Sequence, residues 1–188
     1  RSMELKPAEW RLLRGFSFVT SKPEIILLNL DDSQPDETKI PKWDELKKRA
    51  DEQGVKLCSL YGSLEMDIAE LEEEEAAAFT EGLDITEPGR ERLIEEAYRV
   101  LGLISFFTCG PDEVRAWTLH DGDNAVDAAG AIHSDLARGF IRAQVVAFDD
   151  YKKHGSSFDE CRKAGCLRLE GKEYLVKDGD IIEIRFNV

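Results

Sequence analysis

A chain of 188 residues, 42% of them hydrophobic, can hold one ordinary domain or two small ones around a real core, which excludes global disorder. Its formal net charge of -14 opposes indiscriminate attraction to phosphate backbones, so any nucleic-acid role needs a local basic face. No apolar run approaches the roughly 20 residues of a membrane span, and the opening RSMELKPAEW lacks the apolar centre of a signal peptide, so the expectation is a cytoplasmic protein with no membrane partner.

From the amino terminus, KPAEWRLLRGFSF spaces Trp10, Leu13 and Phe16/Phe18 as an amphipathic helix broken near Gly15. Residues 24–28 then form a short apolar run of the kind found in buried parallel strands, ending in the polar loop NLDDSQPDETKIP. KWDELKKRADEQG reads as a helix with mixed charge outward and Gly54 at its end, and VKLCSLYG as the next buried strand. Strand, helix, strand implies a parallel pair. In SLEMDIAELEEEEAAAFTEGL, Leu64, Ile68 and Leu71 share a helical face ahead of a solvated run of glutamates. TEPGRERLIEEAYRVLGL is a further helix, with Leu93, Ala97 and Val100 or Leu101 as its apolar stripe.

From residue 104 the pattern changes to short strands: ISFFTC, EVRAWTL, then a helix, then FIRAQVVAF, CLRLEG, KEYLV and DIIEIRFNV. Asp178-Gly179 between two strand-like runs is a hairpin signal. In the helix, Ala128, Ile132 and Leu136 recur every four residues, Ala129 and Gly130 admit a close neighbour, and Gly139 is expected in the left-handed position that ends it. The acid excess lies mostly before residue 105. Two strands, one packed helix and further strands predict a β-grasp, or ubiquitin-like, sheet over residues 104–188, behind an α/β segment over residues 1–103.

Candidate chemistry is sparse. Asn29, Leu30, Asp31 and Asp32 follow a buried strand, where α/β nucleotide-binding domains present base-contacting side chains. An asparagine with a carboxylate three residues on can hold a base edge, an acceptor-only carboxylate suiting guanine; an ordinary polar turn explains the same residues. No Gly-x-x-x-x-Gly-Lys-Ser/Thr run occurs, and the Gly171-Lys172 pair is followed by Glu173 in an expected hairpin. Without such a phosphate cradle this chain alone is not expected to hydrolyse a nucleotide. Cys58, Cys109, Cys161 and Cys166 are too few and irregular for a disulfide framework and read as reduced thiols; Cys161, Cys166 and His154 leave a small metal or thiol enzyme as an outside alternative. His120, His133 and His154 are dispersed, and His133 beside Asp135 reads as a surface or packed structural histidine.

Four blocks, LRGFSFVTSKPEIILLN, GRERLIEEAYRVLGLISFFTCGPDEVRAWTL, AAGAIHSDLARGFIRAQVVAFDD and LEGKEYLVKDGDIIEIRFNV, resemble in order the C-terminal half of the YchF-type Obg-like ATPases. The resemblance implies that residues 1–20 are similar to the end of a helical hairpin inserted in a G domain. It likewise implies that residues 1–103 are the C-terminal part of that P-loop-type α/β domain and residues 104–188 a TGS domain, a β-grasp module associated with RNA or ribosome binding. ATP or GTP is the implied cofactor, with Mg only alongside the P-loop that this chain lacks.

The family's base-reading motif, commonly Asn-x-x-Glu and associated with adenine, is matched at Asn29, while Leu30 and Asp32 depart from it and leave adenine against guanine open. A second base-loop element, Ser-Gly/Ala-x-Leu-Glu, is matched at Gly62, Leu64 and Glu65, with Tyr61 replacing the small residue and Ser63 completing the loop. The TGS segment matches at Arg115, His133, Gly139, Phe140, Asp178 and Gly179. Arg115, Arg138, Arg142, Lys152 and Lys153 are the candidate contacts to RNA, ribosome or a protein partner, since cations position phosphates; scattered solvated charge is the competing explanation. The alternative to a portion of an Obg-like nucleotide-binding protein is a stand-alone, non-catalytic β-grasp interaction protein with a vestigial nucleotide site.

Overall fold

The computed structural model describes residues 3, 5–31, 40–82, 88–110 and 113–187. The chain divides into two units, Arg1–Leu101 and Gly102–Val188. In the first, α1 (Pro7–Leu13) gives way at Arg14–Phe16 to a tighter 3-10 turn, the break expected near Gly15. The apolar run Ile25–Asn29 is β1, and α2 (Trp43–Glu52) leads to β2 (Lys56–Leu60). The two strands are parallel, with Ile25 opposite Lys56 and Asn29 opposite Leu60. Gly54, at φ 64, makes the left-handed turn out of α2, so that Val55 N–H bonds Ala50 O at 2.9 Å and both residues are buried.

The long acidic stretch forms two helices rather than one, α3 (Gly62–Ala69) and α4 (Glu73–Gly82). The glutamate run thus falls at the start of α4, where negative charge suits the helix dipole. The unit closes with α5 (Gly89–Leu101), whose Leu93, Ala97 and Val100 are half-buried, as the stripe predicts.

In the second unit β3 (Leu103–Cys109) and β4 (Val114–His120) form an antiparallel hairpin. Next come α6 (Ala125–Ile132), α7 (Ser134–Arg138) and β5 (Phe140–Ala147). They are followed by α8 (Phe148–Lys153), α9 (Phe158–Ala164), β6 (Arg168–Glu170) and β7 (Asp180–Phe186). The sheet order is β4-β3-β7-β5-β6, with β3 and β7 parallel at the centre and the flanking pairs antiparallel. This is the β-grasp arrangement. One face packs on α6: Ala125, Ala128 and Ala129 are fully buried against Ile104, Phe106, Leu119, Val145 and Ile182, because alanine lets helix and sheet approach closely. Asn124 and Asp127 form a reciprocal capping box at the start of α6.

Four expectations for this unit change. The single helix after residue 125 breaks at His133, whose extended backbone (φ -163) ends α6 and whose Nδ1 accepts the Asp135 N–H at 3.2 Å to cap α7. Gly139 is not left-handed (φ -91); glycine is required there because a Cβ would run into the carbonyl oxygen of Asn187. KEYLV is not a strand: only a bridge joins Leu175 to Asn124, since this segment's backbone serves the α6 entry, Tyr174 O accepting Ala125 N–H and Val176 N–H donating to Asp123 O. Asp178-Gly179 is a turn, with Gly179 at φ 77, but it joins no hairpin. Instead Asp178 Oδ1 accepts the Ser105 N–H at 2.8 Å and Gly179 N–H donates to Ser105 O at 2.8 Å, stitching the turn to β3. α8 and α9, which no pattern announced, pack on the opposite face, with Phe148 and Phe107 ring centroids 6.0 Å apart.

Candidate functional site

The carboxyl ends of β1 and β2 converge on one junction. Asn29, the last residue of β1, turns its side-chain Oδ1 to accept the backbone N–H of Gly62 at 2.9 Å. Gly62 is the first residue of α3, and the residue before it, Tyr61, supplies no side-chain cap. Asn29 therefore caps from a distance of 33 positions a helix that lacks a local cap. A Cβ at position 62 would lie 2.7 Å from that oxygen, so any larger residue there must displace the Asn29 carboxamide. Leu30 N–H donates to Leu60 O at 2.9 Å, so Leu30 is half-buried beside the junction while Ser63 is exposed on the first turn of α3.

Glu65 secures the next element. Its Oε1 accepts Gly89 N–H at 2.6 Å and its Oε2 the Arg90 N–H at 3.4 Å, so a carboxylate of α3 caps the N-terminus of α5. Gly89 is likewise constrained, because a Cβ would lie 2.9 Å from both Glu65 Oε1 and Leu60 Cβ. Arg92 of α5 reaches back to Ser59 O at 2.8 Å. Of the five candidate base-site residues, Asn29, Leu30, Gly62 and Ser63 are brought together here, and Asp32 lies outside the described residues. A cavity of about 460 Å³ flanks β2, lined by Trp43, Lys47, Val55, Arg92 and Glu96 among others, and does not include the junction.

The five candidate cations of the second unit do not form one patch. Arg115 stacks over Trp117, 4.2 Å from the ring, on the side of β4 that carries the core residue Leu119. Arg138, at the end of α7, pairs with Asp135 at 3.3 Å. Arg142 alternates with buried Ala143 and so points to the other face of the sheet, directly opposite Arg185 of β7. Lys152 and Lys153 end the short helix α8. Lys152 lines a largely apolar cavity of about 530 Å³ with Phe107, Val114, Phe148, Tyr151 and Ile181. Arg185 was missed in the sequence, because only the β5–β7 register brings it beside Arg142.

The thiols have structural surroundings. Cys161 is fully buried and burial pushes its thiol up to about 11, so it is a poor thiolate. Cys166 Sγ lies 3.3 Å from Cys161 O, and burial also raises Cys109, whose neighbour is Tyr151. Among the described residues no group of three His, Cys, Asp or Glu side chains is placed to hold a metal ion, and no helix is long and apolar enough to cross a membrane.

A family model described as "YchF-GTPase_C: Protein of unknown function (DUF933)" matches residues 103–187. Over its full length the chain is 40% identical to the "Ribosome-binding ATPase YchF" of Haemophilus ducreyi, of which it covers 51%. It is 41% identical to the protein of the same name from Bacillus subtilis, again covering 51%. The chain thus spans about half the length of the curated relatives it matches. The solved YchF GTPase of Schizosaccharomyces pombe superposes with a TM-score of 0.83 at 31% identity, over 98% of this chain and 49% of that one. A GTP binding protein from Pyrococcus horikoshii OT3, 19% identical, shares the fold with a TM-score of 0.62 over 88% of this chain and 46% of its own. Over its whole length the chain is thus similar to the C-terminal half of YchF proteins, with residues 103–187 matching the family's C-terminal domain.

Proposed function

We propose that this chain holds the purine end of ATP or GTP with its first unit and docks on the ribosome with its second, the TGS module. The observation that carries the nucleotide half is the Asn29–Gly62 junction. With Oδ1 engaged by a helix N–H, the Nδ2 hydrogens of Asn29 are left to donate to a ring-nitrogen acceptor, at the carboxyl end of a parallel strand pair where α/β folds bind ligands. Leu30 offers the base an apolar edge, and Gly62 and Ser63 present the first turn of α3. Both purines carry such an acceptor, so these residues alone do not choose between them.

Hydrolysis needs backbone amides and a lysine around the phosphates, and the sequence has no run of that kind. The chain by itself therefore binds nucleotide weakly without turnover, and Mg²⁺ enters with phosphates that other residues hold. The name "Ribosome-binding ATPase YchF" carried by relatives supports the docking half, and with it a cytoplasmic place of work. A second reading, an interaction protein with a vestigial nucleotide site, is favoured by Tyr61, a large half-buried side chain at the entry to α3.

Calorimetric titration of the chain with ATP and GTP, beside ribosome co-sedimentation over a salt series, tests the proposal. Weak binding that Asn29→Ala abolishes, no phosphate release, and pelleting that fades with salt are expected. Turnover by this chain, or no pelleting at low salt, overturns it; pelleting without any nucleotide binding selects the second reading.

A further inference from the structure

We propose that Arg142 and Arg185 form a clamp for the phosphodiester backbone of RNA, on the sheet face opposite α6. The clamp gives the ribosome-docking reading a contact point, and rests on that reading only for which RNA is met. The two residues face each other across the antiparallel β5–β7 pair, and both are exposed. Directly opposed side chains start from Cβ atoms about 5 Å apart, so both guanidinium forks reach one phosphate group or two successive ones.

Like charges placed directly opposite each other oppose strand pairing, and a bound anion would relieve that repulsion. Among the described residues neither arginine has an ion pair, whereas Arg99, Arg138, Arg162 and Arg168 all do. The carboxylate closest along this face of β7, Glu183, is already taken. Gln144, opposite it, donates to Glu183 through Nε2 and accepts from Arg162 through Oε1 at 2.9 Å, and Arg162 also pairs with Asp159. That network sets two carboxylates against one guanidinium, and neither carboxylate forms an ion pair with Arg142 or Arg185.

The surroundings leave room for a chain of phosphates. β6 pairs only with Ala143, Gln144 and Val145, so the edge of β5 beside Arg142 is open, while on its other side the β5–β7 ladder has a register irregularity between Phe140 and Arg142. Exposed Lys172 follows β6 in the next turn. On a chain of net charge -14 an anionic membrane surface is repelled as a whole, while paired guanidinium forks bind phosphate oxygens bidentately at a single strip.

The test is fluorescence anisotropy of a short labelled RNA duplex with the 188-residue chain, wild type against Arg142→Gln, Arg185→Gln and the double variant, over a salt series. Each substitution should lower the slope of log affinity against log salt by about one. The double variant should bind about tenfold more weakly, as expected for lost charge-assisted hydrogen bonds, with an unfolding midpoint equal to or above wild type. Unchanged slopes, no binding by the wild type at low salt, or an equal loss in Lys47→Gln of the first unit overturns the clamp. Ribosome co-sedimentation of the same proteins separates the two readings: RNA binding that persists without pelleting overturns docking and leaves the clamp, whereas pelleting with unchanged RNA slopes does the reverse.

Discussion

Asn29 Oδ1 accepts the N–H of Gly62 at 2.9 Å, and a Cβ on residue 62 would sit 2.7 Å from the same oxygen. The two residues are thus coupled twice, by a bond and by the absence of a side chain. Asn29→Ala removes the bond but leaves the Gly62 N–H within reach of water, and should cost at most about 1 kcal/mol. Gly62→Ala forces the Asn29 carboxamide away and crowds the start of α3, which should cost about 1–3 kcal/mol. Urea unfolding of the two variants checks the order; a Gly62→Ala variant as stable as wild type would show that the junction is loose.

Glu65 reaches from α3 to the first two N–H groups of α5. Truncation to alanine leaves that helix start uncapped beside half-buried Pro88 and buried Gly89, and should cost about 1 kcal/mol. Glu65→Gln keeps an acceptor and should recover more than half of it. Denaturant midpoints of the three proteins decide; equal losses in both variants would mean that the carboxylate charge, and not the hydrogen bond, holds α5.

Periodicity made the strands and most helices of this chain legible, because burial of an apolar face is written residue by residue. Residues whose role depends on a distant partner were not legible. The need for glycine at 139 comes from Asn187, and the loss of a strand at 172–176 comes from the backbone needs of α6. His133 breaks a helix whose apolar spacing runs straight through it, because its imidazole caps the next one. At the candidate site the strand-end position of Asn29 was readable, but its bond to Gly62 needed the β1–β2 register. Arg142 was picked for its charge alone, and its partner Arg185 emerged only from strand order.

Asp180, 2% exposed, is the centre of a buried polar cluster, accepting Tyr174 O–H at 2.7 Å and Lys177 N–H at 2.9 Å and pairing with Arg168 at 3.3 Å. Asp180→Ala leaves three donors short of an acceptor beside a guanidinium that is itself part-exposed. The loss should be about 2–4 kcal/mol, at or below the range for breaking a fully buried pair. Asp180→Asn, which can still accept, should lose less. Thermal unfolding of the variants checks this, and a loss under about 0.5 kcal/mol, the size of an ordinary surface change, would count against the cluster.

Burial, reinforced by the Asp180 carboxylate, pushes the Tyr174 phenol from 10.0 to about 12, and burial pushes the Cys161 thiol from 9.0 to about 11. Both groups hold their protons more tightly in the folded protein than in the unfolded chain. Their contribution to stability is therefore fully present below pH 9.0 and is lost as pH climbs through about 11 and then about 12. Circular dichroism should show the second unit losing stability over that alkaline window. Cys161→Ala should flatten the early part of the decline and Tyr174→Phe the later part, and a decline identical in both variants would place its cause elsewhere.

Gly139 and Gly130 look alike in the sequence, each a glycine near the end of an apolar helical pattern, and the structure separates them. At Gly139 an added Cβ meets backbone, the carbonyl of Asn187, whose N–H in turn donates to Gly139 O at 2.9 Å. No side-chain rotation relieves such a clash, so the end of β7 must move away from β5, pulling apart the Phe140–Phe186 pair. At Gly130 a Cβ would meet only Ala137 Cβ at 3.6 Å, an ordinary contact, within a helix where alanine is preferred. Gly139→Ala should therefore cost about 2–4 kcal/mol, with faster amide exchange at Asn187, whereas Gly130→Ala should be neutral or stabilising by up to about 1 kcal/mol. Because both substitutions add the same single methyl group, the difference between their unfolding free energies isolates the close approach of β7. Equal effects would mean that the end of β7 yields freely and that glycine at 139 serves no packing purpose.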